Sequence, residues 1–309
     1  MNTFSIVFRQ LFQFFLLMMT GVLMAKLKVV QEEGLTPISR LLTKLLLPVY
    51  VFVSCYGDMT LGDFAGNIVA LLMIFGIYFL LLGLFYLVAK CCPMLPEKRK
   101  RVFQAVFSFG NTAMIATPLI SAVCTEKGKL YISFLLIVDS LLLWTLGIAL
   151  TADTDKQIKI KPSNFINPTV VAVVLAFVLS VTGLKIPEFA ERALGSISNS
   201  CSPICLIYLG ILLYFSDIKK VLKCGEVYAG ILIKMLLFPI LLGKLLCLTS
   251  MDRELINLLI IVAMLPTVTV MPLFAKTYGS EGEYTTGVTM MNIFISMFTL
   301  PLVAFIAMV

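Results

Sequence analysis

Short polar segments divide the chain into ten largely apolar runs, and this division constrains the fold more than any other feature. A helix needs roughly 20 apolar residues to cross the hydrocarbon core of a bilayer, and most of these runs are hydrophobic all round. The chain is 60% hydrophobic and 13% charged, whereas soluble domains average about 45–50% and about 25%. The sequence therefore predicts an all-α integral membrane protein with ten transmembrane helices. The predicted spans are 4–27, 36–56, 66–89, 102–123, 129–151, 168–183, 193–215, 221–248, 254–276 and 283–308.

Basic residues are distributed unequally between the two sets of loops. The loops after spans 1, 3, 5, 7 and 9 hold fourteen Lys and Arg residues, and the opposite loops hold five. Because cytoplasmic loops carry the excess of Lys and Arg, we expect both termini to be extracytoplasmic in a multi-pass protein of the cell membrane. The net charge of +7 follows from this topology and indicates no nucleic-acid partner.

Several features recur when the chain is shifted by about 154 residues, half its length,. Five is an odd number of helices, so the second half must enter the membrane from the opposite side, as in the inverted repeats of secondary transporters. We expect a first repeat over 1–151, a cytoplasmic linker over 152–167 and a second repeat over 168–309. A chance pattern in an apolar sequence is the alternative. The recurring features are Pro118-Leu119 with Pro272-Leu273, Gly128 with Gly282, Thr145-Leu146 with Thr299-Leu300, and, within one residue, Pro48 with Pro203.

Spans 4 and 9, which the repeat relates, carry residues that interrupt a helix. Span 4 reads FGNTAMIATPL at 109–119, and in span 9 Pro266 and Pro272 bracket Thr267 and Thr269. A proline removes a backbone donor and clashes with the preceding turn, and unwound backbone survives at membrane depth only within protein or beside a wet cavity. We therefore predict broken crossover helices whose freed amides and carbonyls form a carrier site near the midplane. The alternative is a pair of structural kinks in which threonine hydroxyls bond back to carbonyls.

The chain resembles the auxin efflux carrier family over essentially its whole length. The resemblance is carried by FGNTAMIATPL, by LPTVTVMPLFAKTYG and by the PLVAFIAMV ending. It implies a fold similar to that of bile-acid sodium symporters, with a scaffold and a crossover domain, and it implies a homodimer. It also implies that Pro118 and Pro272 lie near the crossing and that Asn111 and Thr112 lie close to the substrate.

The chain departs from the plant members of that family in three respects. It reads Gly110-Asn111-Thr112 where they read Asn-Pro-Asn-Thr, its central loop is short, and it has no charged residue between Ile68 and Ala89. These differences favour a small organic acid over auxin as the substrate, as in the bacterial organic-acid permeases of the family.

A lysine in span 2 is a further candidate for the substrate site. Lys44 precedes Pro48 by four residues, so both lie on one helix face, and some plant members resemble this spacing. A lysine can hold a carboxylate as a point charge. The alternative is that Lys44 snorkels to the membrane interface.

Polar residues within other spans are candidates for coupling transport to an ion. Asp139 is the only acid deep within a predicted span, and we expect it to bind and release a proton; a static pair with a lysine is the alternative. Asn292 lies one position from the repeat image of Asp139 and is grouped with it, although an amide there also suits a helix–helix hydrogen bond to span 9. Lys234 and Lys244 are expected to be interfacial or paired.

Together these features predict a secondary active transporter of small organic anions that works by alternating access, driven by protons or by the membrane potential. A sodium-coupled symporter is the alternative within transport. An intramembrane aspartyl protease would need a second deep acid, a zinc enzyme would need histidines, of which the chain has none, and a sensor would need an output domain. We therefore expect no enzymatic activity, no metal site and no cofactor.

Overall fold

The computed structural model describes residues 3–56, 61–124, 127–152, 168–216 and 218–308, and these ranges contain helices but no β-strand. Helices 4 and 9 are each interrupted and are given as two pieces. The predicted linker lies, apart from Ala152, outside the described residues. The helices are α1 (Thr3–Lys26), α2 (35–55), α3 (Ile68–Cys91), α4a (Glu97–Ser108), α4b (112–123), α5 (128–151), α6 (Pro168–Thr182), α7 (Glu188–Tyr214), α8 (Gly225–Leu246), α9a (Arg253–Met264), α9b (Met271–Thr277) and α10 (Gly282–Ala307).

Six stretches of described chain are long and apolar enough to cross a membrane by length and composition, which makes this a multi-pass membrane protein. Two shorter apolar helices, Phe12–Lys26 and Pro168–Thr182, accompany them. The pieces of α4 and α9 are individually too short to span a bilayer,. The six stretches are Glu32–Cys55, Ile68–Cys91, Leu130–Thr151, Glu188–Tyr214, Gly225–Leu246 and Gly282–Ala307.

Three prolines widen a helix without breaking it. Pro48, Pro118 and Pro239 each stand two residues beyond a five-residue π-helical segment. The wider turn fits the proline because the ring clashes with the carbonyl four residues back and supplies no N–H. The interruption of α4 therefore lies upstream of Pro118, at 109–111. The three segments are Leu42–Leu46, Thr112–Ala116 and Ile233–Leu237.

The helices pack in two groups. In the first, α1 lies against α7, and α2 lies against α6 and α7. Glycines bring α1 and α7 together, because a Cβ on Gly21 would overlap the carbonyl of Ile207 and one on Gly210 would overlap that of Met18,. The second group contains α3, α4, α5, α8, α9 and α10, with the closest packing between α3 and α4a, α8 and α9a, and α9b and α10.

Ion pairs tie the second group together at both ends. At one end, Arg99 at the start of α4a pairs with Glu281 before α10, with 3.0 Å between Nε and Oε2. At the other end, Asp252 caps α9a and pairs with Lys127 before α5, with 3.2 Å between Oδ2 and Nζ. These contacts hold the interrupted helices α4 and α9 beside α5 and α10.

Candidate functional site

The interruption in α4 begins at Phe109, where the backbone becomes extended, and continues through Asn111. Gly110 lies between them, and a Cβ built on it would stand 2.5 Å from the Cβ of Leu265. A glycine is favoured here because the side chain of Leu265 occupies the space that a Cβ would need,.

The interruption in α9 covers residues 265–270. Leu265 is extended, with φ −59° and ψ 139°, because the following Pro266 disfavours the helical conformation of its neighbour. The helix resumes at Met271, and Pro272 stands in its first turn, where a missing N–H leaves no hydrogen bond unmade.

The two interruptions lie side by side and exchange backbone hydrogen bonds. The amide of Asn111 donates to the carbonyl of Pro266 at 2.8 Å, and the amide of Val268 donates to the carbonyl of Phe109 at 3.1 Å. Gly110 and Thr267 thereby form an isolated antiparallel bridge. The crossing of α4 and α9 thus satisfies some of the backbone groups that each break releases,.

On the α4 side, a chain of three polar side chains runs from the break into α5. The hydroxyls of Thr112 and Tyr78 lie 3.1 Å apart, and the Tyr78 hydroxyl donates to Oδ1 of Asp139 at 2.6 Å. All three side chains are buried. Tyr78 therefore connects the acid on α5 to the residue that follows the break.

On the α9 side, the corresponding hydrogen-bonded group contains two polar side chains. Asn292 on α10 donates from Nδ2 to the Thr267 hydroxyl at 2.7 Å, and that hydroxyl donates to the carbonyl of Val106 at 2.9 Å. The Thr269 hydroxyl lies 3.4 Å from the sulfur of Cys205 on α7, so the break also contacts the first packing group.

Two buried amide atoms at the crossing have no hydrogen-bond partner among the described residues. They are Nδ2 of Asn111, a donor, and Oδ1 of Asn292, an acceptor, and each side chain is 1% exposed. An unmade hydrogen bond of this kind costs about 1–3 kcal/mol. Such atoms are retained where a ligand or water meets them.

Lys234 brings a positive charge to this buried region. Its side chain is 2% exposed, and its Nζ donates to the carbonyl of Val262, in the last turn of α9a, at 3.5 Å. Its charge also interacts with that of Asp139. Lys234 was expected to be interfacial or paired; the interfacial alternative is wrong, since the ammonium lies in the interior. Lys244, on the same helix, is exposed.

The structure brings most of the predicted substrate residues together, with one exception. Asn111, Thr112, Pro266, Thr267, Thr269 and Pro272 are buried in the two breaks or directly beside them. Pro118 lies in α4b, and of this residue only the backbone is described. Lys44 is exposed on α2 and does not join the group, a position that agrees with snorkelling.

Tyr78 and Lys234 are the functional candidates that the sequence reasoning missed. Tyr78 lies in a span without charged residues, and Lys234 was expected to be interfacial or paired. One signal was available, because the shift that relates Thr112 to Thr267 places Tyr78 on α3 within one residue of Lys234 on α8. A polar residue at both positions is unusual in spans this apolar. The described residues hold no group of three or more His, Cys, Asp or Glu side chains that could bind a metal ion.

Comparison with known proteins identifies the class of molecule. A family model described as membrane transport protein matches residues 6–304, nearly the whole chain. No curated protein matches the sequence.

Proposed function

This chain belongs to the auxin efflux carrier family of membrane transport proteins, whose members are transporters and not enzymes, and from that premise we propose that it is a secondary active carrier of small organic anions. The observation that carries the proposal is the crossing of two interrupted helices with an unpartnered, buried amide donor, Nδ2 of Asn111, at its centre. A donor of this kind suits a carboxylate oxygen.

The buried charges favour an anion over a cation or a neutral solute. Lys234 and the amide of Asn111 present donors from α8 and α4, while the carboxylate of Asp139 already accepts from Tyr78. A substrate carboxylate would therefore meet one cation and one free donor. In our proposal Thr112, Thr267 and Thr269 line the same place, and Lys44 has no part in it.

The topology we propose has ten membrane-crossing helices in two inverted halves. The α-helical part of α4b, Thr117–Val123, and α9b, Met271–Thr277, coincide at a shift of about 154 residues, and so do the starts of α5 and α10,. The excess of basic residues in the loops after helices 1, 3, 5, 7 and 9 places those loops in the cytoplasm and both termini outside,.

Alternating access would follow from movement between the two packing groups. In this proposal α1, α2, α6 and α7 form a scaffold, and the remaining six helices carry the crossing past it. Both interrupted helices and all the polar groups described above, apart from Cys205, lie in the moving group. A homodimer through the scaffold is part of the proposal, and mass measurement in lipid nanodiscs tests it.

Uptake by purified protein in liposomes tests the function. Labelled malonate and malate are offered under an imposed pH gradient, membrane potential or sodium gradient, one at a time. We expect uptake that follows the pH gradient or the potential. Uptake that follows only sodium would contradict this and favour the sodium-coupled alternative.

A substitution in the same assay tests the site. Asn111→Leu removes the free donor, and we expect uptake to fall at least about tenfold, the equivalent of one hydrogen bond to a charged group. Asn199→Leu, on the exposed face of α7, is the matched control and should transport normally. Equal uptake by the two variants would rule out the crossing as the substrate site.

A further inference from the structure

Lys234 and Asp139 are oppositely charged residues buried within the second packing group, and they stand on helices from different halves of the chain. A second carboxyl residue, Glu226 in the first turn of α8, is also buried there. Lys234 is on α8 and Asp139 is on α5, with 2% and 5% of their surfaces exposed. Their charges attract each other, but their described hydrogen bonds go elsewhere: Asp139 accepts from Tyr78, and Lys234 donates to Val262. The ammonium is therefore left with donors to spare.

Each of the two charges is connected to one of the helix breaks. Asp139 reaches the α4 break through Tyr78 and Thr112. Lys234 contacts the carbonyl of Val262, two residues before α9a ends. Each charge is thus linked to a different helix of the crossing at which Asn111 would hold a carboxylate.

Electrostatics limits the net charge that such a place can hold. An uncompensated charge in a protein interior is strongly destabilising, so the empty site is stable because the ammonium of Lys234 balances the carboxylate of Asp139. A substrate carboxylate adds a second negative charge to a single positive one. Neutrality returns when one proton joins Asp139.

We propose that Lys234 is the cationic anchor of the substrate carboxylate and that Asp139 takes up one proton each time the substrate replaces it as the partner of Lys234. The proposal rests on the proposed function and gives it a coupling mechanism, the symport of one proton with each organic anion. For a monocarboxylate the transported complex is then neutral, and for a dicarboxylate it carries one negative charge.

The proton follows a simple cycle. As the substrate enters from the proton-rich side, a proton from that solution forms an O–H bond with the Asp139 carboxylate, and Lys234 turns to the substrate. After the protein opens to the other side, the substrate leaves, the O–H bond breaks, and the proton passes to that solution. Lys234 then pairs with Asp139 again, and no bond of the substrate changes.

Other titratable groups lie on the described helices packed around the pair. Tyr78 holds Asp139 through its hydroxyl, and the Tyr50 hydroxyl on α2 donates to the carbonyl of Ala113. The helix α6 contains no titratable residue. Of the charged groups on the neighbouring helices only Glu226 is buried, and it lies in the first turn of α8, eight residues before Lys234. The others are half-buried or exposed, namely Arg40 and Lys44 on α2, Lys90 on α3, Glu97, Lys98, Arg99, Lys100 and Arg101 on α4a, Lys244 on α8, Asp252, Arg253 and Glu254 at the start of α9a, Lys276 on α9b, and Glu283 on α10.

Two transport modes separate the roles of the two residues. Wild type, Asp139→Asn, Lys234→Met and the control Lys244→Met are reconstituted in liposomes. Each is assayed for exchange of labelled malonate against internal malonate, and for accumulation driven by a pH gradient. Lys244 lies on the same helix but is exposed, so its variant should match wild type in both modes.

We expect Asp139→Asn to lose accumulation while exchange falls far less, because a neutral amide mimics the protonated acid and cannot release a proton. We expect Lys234→Met to lose both modes, with exchange roughly 100-fold slower or worse, since the carboxylate has lost its buried partner. The double variant D139N/K234M removes both charges at once. It should fold as judged by size exclusion and still fail to exchange, which separates loss of the anchor from loss of structure.

Three results would overturn the inference. Accumulation by Asp139→Asn under a pH gradient would show that Asp139 is not the proton carrier. Exchange at the wild-type rate by Lys234→Met or by the double variant would show that Lys234 is not the anchor of the substrate carboxylate. In both cases wild-type uptake would leave the proposed function intact. Wild-type vesicles that take up no organic anion would overturn the proposed function and this inference together.

Discussion

The two halves of the molecule present different chemistry at positions that the proposed repeat relates. In the first half, Tyr78, Thr112 and Asp139 form a hydrogen-bonded chain. In the second half, and within two residues of the 154-residue shift, Lys234 corresponds to Tyr78, Thr267 to Thr112, and Asn292 to Asp139. Each half therefore contributes an interrupted helix and a threonine beside it, but one half supplies the acid and the other supplies the cation.

In the proposed mechanism, this difference between the halves gives transport its coupling. Two identical halves would place two acids or two lysines at the crossing, and like charges in a buried site repel each other. With one acid and one lysine the empty site is neutral, and a substrate anion changes its charge. Under the proposal, the asymmetry of these side chains, and not the backbone that the halves would share, determines which ion the site couples.

The most severe way to break the asymmetry is to give the second half an acid as well. Asn292→Asp removes the amide donor that bonds to Thr267 at 2.7 Å and adds a buried negative charge, while Lys234 already serves Asp139. We expect loss of transport and a destabilisation of about 3–5 kcal/mol, typical of an uncompensated buried charge. Thermal unfolding in detergent measures this.

The control for that change is Asn199→Asp, the same substitution on an exposed helix face. It should leave the melting temperature nearly unchanged. A wild-type melting temperature for Asn292→Asp would mean that the second half accommodates a buried acid as readily as the first. The proposed chemical difference between the two halves would then be refuted.

The backbones of the two breaks differ as well, and a smaller change tests this. The α4 break needs Gly110, whereas residues 265–270 of the α9 break contain no glycine. Gly110→Ala places a Cβ 2.5 Å from that of Leu265, and overpacking of this kind costs about 1–3 kcal/mol. We expect a lower melting temperature and weaker transport, because the crossing must separate to admit the methyl group.

Gly83→Ala is the matched control, since a Cβ there meets no atom within 4 Å. It should be neutral or slightly stabilising, as alanine suits a helix better than glycine. If both alanine variants melted at the wild-type temperature, the close approach of the two breaks would not hold in solution.

The sequence was sufficient to predict the helices and the places where two of them are interrupted. Runs of apolar residues determine helix length in a bilayer, and the residues of FGNT and LPTVTV cannot continue a regular helix without loss,. The expectation that Asn292 could bond to the ninth helix agrees with its contact to Thr267. These features depend on local chain properties, which the sequence displays directly.

The sequence was not sufficient to show which polar side chains face inward. Tyr78 and Tyr86 lie on one apolar helix, yet the first is fully buried and the second is 53% exposed. Lys44 and Lys234 both stand within π-helical segments two turns or less from a proline, yet only Lys234 is buried. A helix that is hydrophobic all round has no polar face from which its orientation could be predicted. Tertiary packing therefore determines which of its polar side chains face the interior.

The smallest expected effect comes from removing a single hydroxyl in the first half. Tyr78→Phe deletes the hydrogen bonds to Asp139 and Thr112 and keeps the ring, so the destabilisation should be about 1 kcal/mol. The rate of malonate exchange should fall by more than the roughly fivefold that about 1 kcal/mol corresponds to, because Asp139 is no longer held toward the crossing. Tyr86→Phe, the same change on the exposed face of α3, should alter neither the melting temperature nor malonate exchange. If the two phenylalanine variants had the same melting temperature and the same rate of malonate exchange, the Tyr78 hydroxyl would not position Asp139. The hydrogen bonds from Thr112 through Tyr78 to Asp139 would then have no part in transport.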